Sequence, residues 1–227
     1  MISVVIPTLN EADNLPPLLH RLQVEPTPAE IVVVDGGSSD ATARIAMDHG
    51  VRLLSSPAGR GRQLAAGAAA TKGEVLLFLH ADSRFPKGGL GRIRAALDAD
   101  PDVVGGNFRL LFDGNEPFSK WLNGFYAWIR SHGVYYGDSG VFVRRSVYEA
   151  IGGIRPLALM EDFDFIRRLE RSGRTCCIAD PPLVTSSRRF HSRRPAAIVF
   201  GWLKIHALFY LGVRSETLAR LYNSARH

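Results

Sequence analysis

Cysteine is almost absent from this chain of 227 residues, which has only the adjacent pair Cys176 and Cys177. A disulfide between neighbouring residues is strained and rare, so a disulfide-stapled miniprotein is excluded. The pair also lacks the spacing of a metal site. The first residues show no basic segment and no small-residue cleavage site. We therefore expect a reduced, cytoplasmic protein.

The chain also lacks a long uninterrupted hydrophobic run. Its longest apolar stretch, residues 196–213, contains Lys204 and His206 and is a poor candidate for a bilayer span. Such a stretch can lie on a membrane surface, here the inner face of the membrane. An ordinary packing helix or a homodimer contact explains it equally well.

Acidic residues are outnumbered, with 22 Asp and Glu against 28 Lys and Arg and a net charge of +6. This excess suits an anionic partner such as a phosphate, nucleic acid or acidic lipid. The basic residues are dispersed and most aromatic residues occur at helical core spacing, so we expect no nucleic-acid partner. A basic protein that binds nucleic acid or a membrane surface is the alternative to an enzyme.

Short apolar segments alternate with helical patterns over the first hundred residues. Strand-like runs at 3–6, 31–34, 51–55 and 74–79 are separated by helical patterns at 14–22, 41–49 and 63–71. Strands this apolar are buried on both faces, as in a parallel sheet covered by helices on each side. The pattern predicts an α/β fold with a doubly wound, mostly parallel sheet.

The second half of the chain is less regular. Helical patterns occur at 89–99, 116–130, 146–151 and 163–172, and strand-like ones at 103–112 and 140–143. We predict one domain over residues 1–195 and a helical C-terminal tail over 196–227, packed on the domain or at a dimer or membrane interface. The aromatic residues of 116–130 indicate core packing or, alternatively, an apolar or ring-stacking ligand.

Polar clusters follow three of the predicted strands, at residues 7–11, 35–40 and 80–82. Ligands of open α/β sheets bind at the carboxyl ends of the strands, so the three clusters predict one ligand site. Asp35 suits an acceptor role toward a base or ribose, and its neighbouring glycines allow close backbone approach. For Asp35 alone, helix capping is the simpler interpretation.

Two segments closely resemble the opening of family 2 glycosyltransferases, namely SVVIPTLNE (3–11) and IVVVDGGSSDAT (31–42). The resemblance extends over residues 2–190. It implies the GT-A fold, a Rossmann-like domain that binds a nucleotide-diphospho-sugar, and sugar transfer with inversion. No G-x-G-x-x-G follows the first strand and no Walker A lysine is present, which disfavours other nucleotide-binding classes. A nucleotidyltransferase on a similar sheet is the nearest alternative.

Carried over position by position, the resemblance implies a nucleotide-sugar site. The residues that match the loop around the nucleoside are Pro7, Thr8, Asn10 and Glu11, and those facing the base are Asp35, Gly36 and Ser38. Residues 59–63 match a glycine-rich turn ahead of a helix, with Arg60, Gly61 and Gln63 bordering the nucleotide. A helix N-terminus with an arginine suits a pyrophosphate. Without the resemblance, this turn would be a surface loop.

His80, Ala81 and Asp82 stand at the family's D-x-D position. The last carboxylate of that motif ligates Mg²⁺ or Mn²⁺, which stabilises the charge of the departing diphosphate. Histidine replaces the usual first aspartate, so Asp82 is the one protein ligand implied, and helix capping is its alternative role. The H-A-D-S pattern in a chain of this length also resembles a bacterial subgroup, selenodomain-associated transferase 2 or arsenosugar-biosynthesis glycosyltransferase.

Glu161 and Asp162 match the family's E-D motif at the start of a helix. Displacement at an anomeric carbon needs a base for the acceptor's proton, and the resemblance implies Asp162 in that role with Glu161 beside it. Adjacent carboxylates repel, so we expect one of the two pKa values to be raised. The alternative is a pair of first-turn acids that complement the helix dipole.

The segment 136–145 resembles the acceptor side of the family's site, where Asp138 would contact the donor sugar or the acceptor. Arg188 and Arg189 lie where some relatives have a basic-aromatic motif near the diphosphate. The Q-x-x-R-W motif of processive synthases is absent, so we expect single transfers. The function expected is inverting, metal-dependent transfer from a nucleotide-diphosphate sugar, UDP-linked, to the hydroxyl of an unidentified acceptor.

Overall fold

A computed structural model describes residues 1–186 and 195–224, and its central element is a sheet of seven strands. The strands are β1 (Ile2–Thr8), β2 (Ala29–Asp35), β3 (Arg52–Ser55), β4 (Val75–Phe78), β5 (Val103–Phe112), β6 (Val141–Arg144) and β7 (Arg174–Thr185). Their order in the sheet is β3-β2-β1-β4-β6-β5-β7. Strand β6 runs antiparallel to its neighbours β4 and β5, and the remaining pairs are parallel. The predicted mostly parallel sheet is confirmed.

Helices cover both faces of this sheet. They are α1 (Leu15–Gln23), α2 (Thr42–Asp48), α3 (Arg60–Ala70), α4 (Gly89–Ala99), α5 (Pro117–Ser131), α6 (Arg145–Ala150), α7 (Glu161–Ser172), α8 (Pro195–Tyr210) and α9 (Ser215–Ser224). Because successive side chains of a strand point to opposite faces, Val4 and Ile6 of β1 pack into the core beneath α1 and α4, whereas Val5 packs beneath α3 and α7. The doubly wound arrangement is therefore confirmed.

Strand β7 is the element that the sequence pattern missed. Its segment contains Pro181 and Pro182, and prolines argue against a strand because they cannot donate to the ladder. The sheet accommodates them because β7 lies at its edge beside β5, and its other contact of this kind is an isolated bridge between Val184 and Arg84. The pairing register also shifts there, since Phe108 lies opposite Ile178 while Leu110 lies opposite Leu183. Both cysteines lie in this strand as free thiols.

Helix α3 lies unusually close to the sheet, and this fixes the position of its first turn. A Cβ on Gly67 would come within 2.3 Å of Val5 and 2.9 Å of Val34, so only glycine permits this approach. The helix begins at Arg60 rather than at Gln63. The prediction of a turn over residues 59–63 is therefore wrong for residues 60–63, which form the first turn of the helix. Gln63 is thereby held at the carboxyl ends of β1 and β2, and Arg60 beside the start of α7.

The C-terminal helices α8 and α9 pack against the start of α7. A separate apolar cluster joins Met160 and Phe163 to Ile205 and Leu218, and all four side chains are buried. None of the helices in the described residues is long and apolar enough to cross a membrane.

Candidate active site

Hydrogen bonds join the loop after β1 to the loop after β2. The backbone N–H groups of Asn10, Glu11 and Ala12 donate to side chains of the second loop, namely Ser38 Oγ (2.9 Å), Thr42 Oγ1 (2.8 Å) and Asp40 Oδ2 (3.1 Å). In the reverse direction, Asn10 Oδ1 accepts from Ser39 N at 2.8 Å. Two of the predicted polar clusters thus form one unit at the carboxyl edge of the sheet.

The carboxylate of Asp35 shapes the turn that follows β2. Its Oδ2 accepts hydrogen bonds from Gly37 N at 3.0 Å and from Ser38 N at 2.9 Å. Its Oδ1 accepts from the hydroxyl of Ser38 and from Thr8 Oγ1, the latter at 3.4 Å. Asp35 is buried, and its carboxylate fixes the backbone of Gly37 and Ser38 through these hydrogen bonds. The contact between Asp35 and a base stays a prediction.

Gln63 is buried beneath the joined loops, with 4% of its surface exposed. Its Nε2 donates to Thr8 O at 2.7 Å and to Val34 O at 2.8 Å, so one amide links the carboxyl ends of β1 and β2. A Cβ on Gly36 would come within 3.1 Å of the same amide, so a side chain there would require Gln63 to shift slightly. These contacts give Gln63 a role in holding the edge of the site together.

Replacing Gln63 with leucine is expected to lower the free energy of unfolding by about 1–3 kcal/mol, because the buried carbonyls of Thr8 and Val34 lose a donor. Urea denaturation measures this change. The matched control is Gln23→Leu, where water replaces an exposed hydrogen bond to His49 O and the change stays within about 0.5 kcal/mol. Equal effects of the two substitutions would contradict this role of Gln63.

A second group of charged side chains gathers at the start of α7. Arg60 Nε donates to Glu161 Oε1, and Arg60 Nη2 lies 3.6 Å from Asp162 Oδ2. Asp162 Oδ2 also accepts from Gly137 N at 3.0 Å, and its Oδ1 from Phe163 N at 2.8 Å. Glu161 is only 2% exposed, whereas the Asp162 side chain is 14% exposed. Asp162 is therefore the more accessible of the two carboxylates.

Their environments separate the pKa values of the two carboxyl groups. Burial raises the pKa of Glu161, and the charge of Arg60 offsets this only in part. Burial also acts to raise the pKa of Asp162, but Arg60 and the backbone N–H of Gly137 outweigh it and hold that pKa below its usual value. The expected raised pKa thus belongs to Glu161, and Asp162 remains a carboxylate at neutral pH.

Asp162 lies close to the third polar cluster through His80. A Cβ on Gly137 would lie 3.2 Å from Asp162 Oδ2 and 3.5 Å from His80 Nε2, so this glycine lies between the two side chains. Asp138 is buried at the next position, in a 3₁₀ turn over Gly137–Ser139. His80, Asp138 and Asp162 line the same cavity.

Asp82 faces a second cavity of about 580 Å³, which Asn14, Arg84 and Asp113 also line. Ala81, between His80 and Asp82, is buried in the core. Among the residues that the structure describes, no three metal-ligating side chains cluster together. Asp82 as a sole protein ligand nevertheless fits Mg²⁺, which takes oxygen ligands and commonly completes its shell with substrate phosphates and water.

The cavity that contains Asp162 has a volume of about 530 Å³ and two kinds of wall. Arg60, His80, Asp138, Glu161 and Asp162 supply charged and polar groups. Helices α5 and α8 supply apolar ones, which are Phe125, Tyr126, Val199, Trp202, Leu203 and Ile205. The sequence offered the aromatic residues of 116–130 as an alternative apolar or ring-stacking surface, and α5 indeed lines this cavity, whereas the contribution of α8 was missed.

Two further side chains join the C-terminal helices to the site. Tyr136 Oη lies 3.0 Å from His206 Nε2, and His206 Nδ1 lies 2.8 Å from Trp202 O. Because Trp202 O can only accept, His206 Nδ1 carries a proton and its Nε2, in the neutral ring, accepts from Tyr136. Gly61 lies against the segment before α7, since a Cβ there would lie 2.8 Å from Arg155 O and 3.2 Å from Glu161 Cβ. Arg188 and Arg189 lie outside the described residues.

Comparison with known proteins identifies the family. The family model described as "Glycosyl transferase family 2" matches residues 3–151. An undecaprenyl-phosphate 4-deoxy-4-formamido-L-arabinose transferase of Pseudomonas fluorescens is 33% identical over 190 residues, which cover 75% of this chain and 53% of that protein. An uncharacterized glycosyltransferase of Mycobacterium tuberculosis is 34% identical over 109 residues, or 48% and 49% of the two chains. The chain thus spans about half the length of these curated relatives.

Solved structures share the fold. S. aureus TarS superposes with a TM-score of 0.65 at 20% identity, over 91% of this chain and 65% of that one. The mannosyltransferase PcManGT of Pyrobaculum calidifontis, in complex with GDP-Man and Mn²⁺, has a TM-score of 0.67 at 19% identity, over 99% and 73%. The predicted GT-A fold is confirmed, while the selenodomain subgroup stays a prediction. This chain belongs to glycosyl transferase family 2.

Proposed function

We propose that this protein is an inverting, metal-dependent glycosyltransferase that moves a sugar from a nucleotide-diphosphate donor, UDP-linked, to an acceptor hydroxyl. The observation that carries the proposal is the Asp162 carboxylate, which two backbone N–H groups and Arg60 hold ionised in a cavity beside His80. In this proposal residues 1–195 form the transferase domain and 196–227 its helical tail.

Asp162 acts as the general base. The acceptor oxygen forms a bond to the anomeric carbon of the donor while the bond from that carbon to the diphosphate breaks. The electron pair of the broken bond leaves with the diphosphate, and the proton of the acceptor hydroxyl passes to the Asp162 carboxylate. A single displacement of this kind inverts the anomeric centre. Arg60 keeps Asp162 deprotonated before the step and stabilises the neighbouring Glu161.

The donor is proposed to lie along the joined loops, with its nucleoside near Pro7, Thr8 and the turn after Asp35. The first turn of α3 carries Arg60 beside the path to the diphosphate, and a helix N-terminus favours anions. Asp82 would hold Mg²⁺ or Mn²⁺ together with the phosphates. The bound ion would stabilise the charge that develops on the leaving diphosphate. Structural relatives in complex with GDP-Man and Mn²⁺, or with UDP and Mg²⁺, support this choice of ligands.

Calorimetric titration of UDP and GDP, with and without Mn²⁺, tests the proposal on the native protein and on Asp82→Ala. We expect metal-dependent binding of UDP, weakened about tenfold to a hundredfold in Asp82→Ala, because the metal loses its one carboxylate ligand. The control is Asp48→Ala, an exposed carboxylate at the end of α2, which should bind UDP as the native protein does.

Each alternative predicts a different result. Tighter binding of GDP than of UDP would keep the transferase and correct the donor class. If neither nucleotide binds, with or without metal, the transferase proposal is contradicted. Equal binding by Asp82→Ala and the native protein would remove Asp82 from the metal site.

A further inference from the structure

Helix α8 exposes three of its large apolar side chains, Phe200, Leu203 and Tyr210. Ile198 and Ile205 of this helix are buried, whereas Phe200 is 69% exposed and Leu203 65% exposed. Phe200, Leu203, Ala207 and Tyr210 follow the spacing of one helix face, and we call them the α8 outer face. Exposed apolar surface of this kind marks an interaction site more often than scattered single residues do.

Helix α5 adds exposed aromatic rings next to α8. Trp121 is 45% exposed and Trp128 60% exposed. Trp121 stacks on Phe125 with ring centroids 5.0 Å apart, and Phe125 stacks on Trp202 of α8 at 6.4 Å. The planes within each pair differ by 15° or less, so the rings form one continuous stack across the two helices.

This ring stack also borders the cavity of Asp162. Phe125 and Trp202 line that cavity, and so does Leu203 of the α8 outer face. Because Leu203 both lines the cavity and is largely exposed, the cavity opens at this face. An apolar surface therefore extends from the outside of α8 to the general base.

The exposed charged side chains on α5 and α8 are basic, while Glu116 precedes α5 and Glu216 lies in the first turn of α9. Lys120 on α5 and Lys204 on α8 are exposed, and Arg214 is exposed just after α8. Neither α5 nor α8 contains an acidic residue. Basic residues among exposed aromatic and aliphatic ones match an anionic lipid surface, which attracts lysine and arginine and accepts apolar side chains.

We propose that α5 and the α8 outer face rest on an anionic bilayer, and that the cavity takes the hydrocarbon chain of a lipid-linked acceptor whose hydroxyl reaches Asp162. This inference rests on the proposed transferase function and names its acceptor class. A sugar without a lipid would need hydrogen-bonding groups along the path, whereas the wall that α5 and α8 supply is mainly aromatic and aliphatic. Pockets of this size suit small ligands and chain segments.

The three tryptophans of the chain, Trp121, Trp128 and Trp202, all lie on α5 and α8, so intrinsic fluorescence reports on this surface alone. The first probe is a vesicle of phosphatidylglycerol with brominated acyl chains, since bromine quenches tryptophan on contact. The second is bromoundecanol, a long-chain alcohol, compared with bromoethanol. We expect quenching by the brominated vesicles and by bromoundecanol, and little quenching by bromoethanol or by unbrominated vesicles.

The variants are Phe200→Glu and Leu203→Glu, compared with Met47→Glu on α2, where an equally exposed apolar residue lies outside this surface. Each α8 substitution should lower vesicle partitioning roughly tenfold or more, because burying one such side chain is worth at least that factor. Leu203→Glu should also weaken quenching by bromoundecanol. Met47→Glu should behave as the native protein.

Three results would overturn the inference. One is an absence of quenching by bromoundecanol in a native protein that binds UDP or GDP, which would leave the transferase intact and remove the lipid chain. Another is an equal loss of partitioning in Met47→Glu. The third is a dimer in analytical ultracentrifugation that dissociates in Leu203→Glu and does not bind vesicles, which would assign the α8 outer face to a second copy. A native protein that binds neither nucleotide would instead overturn the proposed function.

Discussion

Replacing Asp162 with asparagine is expected to lower the turnover number by about 10²–10⁴-fold, which is the usual contribution of a general base. Asparagine keeps an oxygen that can accept from Gly137 N or Phe163 N, so the start of α7 should retain its geometry. The negative charge that accepts the acceptor's proton and pairs with Arg60 is lost. The measurement is release of UDP from the donor in the presence of acceptor.

A matched substitution two residues further along α7 controls for structural damage. Asp164 instead makes ion pairs with Arg155 and Arg168. Asp164→Asn should therefore keep its turnover within a few-fold of the native value. A similar loss in both variants, or turnover in Asp162→Asn within tenfold of native, would exclude Asp162 as the base.

Replacing Arg60 with glutamine is expected to destabilise the protein and change its pH dependence. Removing one partner of a buried ion pair costs about 3–5 kcal/mol, but the Arg60 side chain is 39% exposed, so with solvent screening we expect about 1–3 kcal/mol. The loss arises because Glu161 stays buried without its cation. Urea denaturation at several pH values measures it.

The sign of the pH dependence follows from the direction of the pKa changes. Without Arg60, the folded-state pKa of Glu161 rises further above its usual value of 4.5. A raised folded-state pKa favours the folded protein at acid pH, and this contribution is lost as the pH rises through the folded-state pKa. The variant should therefore approach native stability below pH 4.5 and show its full deficit near neutrality.

The Arg60→Gln substitution is also expected to change the pKa of Asp162, the proposed general base. Arg60 lowers the pKa of Asp162, so its loss raises that pKa, and the acid limb of the pH–rate profile should move to higher pH. Arg60→Lys retains the positive charge and should restore part of the native profile. An unchanged acid limb in Arg60→Gln would contradict the electrostatic link between Arg60 and Asp162.

The sequence predicted those helices and strands whose hydrophobic pattern is set by residues close together in the chain. Helix α4 and strand β5 have the predicted bounds, and the strands β1, β2 and β4 lie within two residues of theirs at each end. The reason is that long apolar runs and helical spacing are set by burial of neighbouring residues. The proximity of the polar clusters after β1 and β2 could be predicted because parallel strands end at one edge of the sheet.

Features that depend on distant contacts were beyond the sequence. Arg60 and Glu161 are separated by 101 residues, and nothing in either segment indicates that they pair. The part of the cavity wall that α8 supplies depends on how the C-terminal helices pack. The sequence around Trp202 is equally compatible with a core position and a surface position. In β7, tertiary pairing at a sheet edge outweighs the unfavourable preference of two prolines.

The single antiparallel strand of the described sheet has a consequence for how such an enzyme can diversify. Strands β5 and β6 are antiparallel neighbours, so the chain leaves β5 and enters β6 at the same edge, where Asp162 lies. The excursion between them, which includes α5, is thus anchored at both ends beside the active site. It can be lengthened or exchanged without changing the order of the strands, so selection can alter what the enzyme accepts while the donor half stays constant.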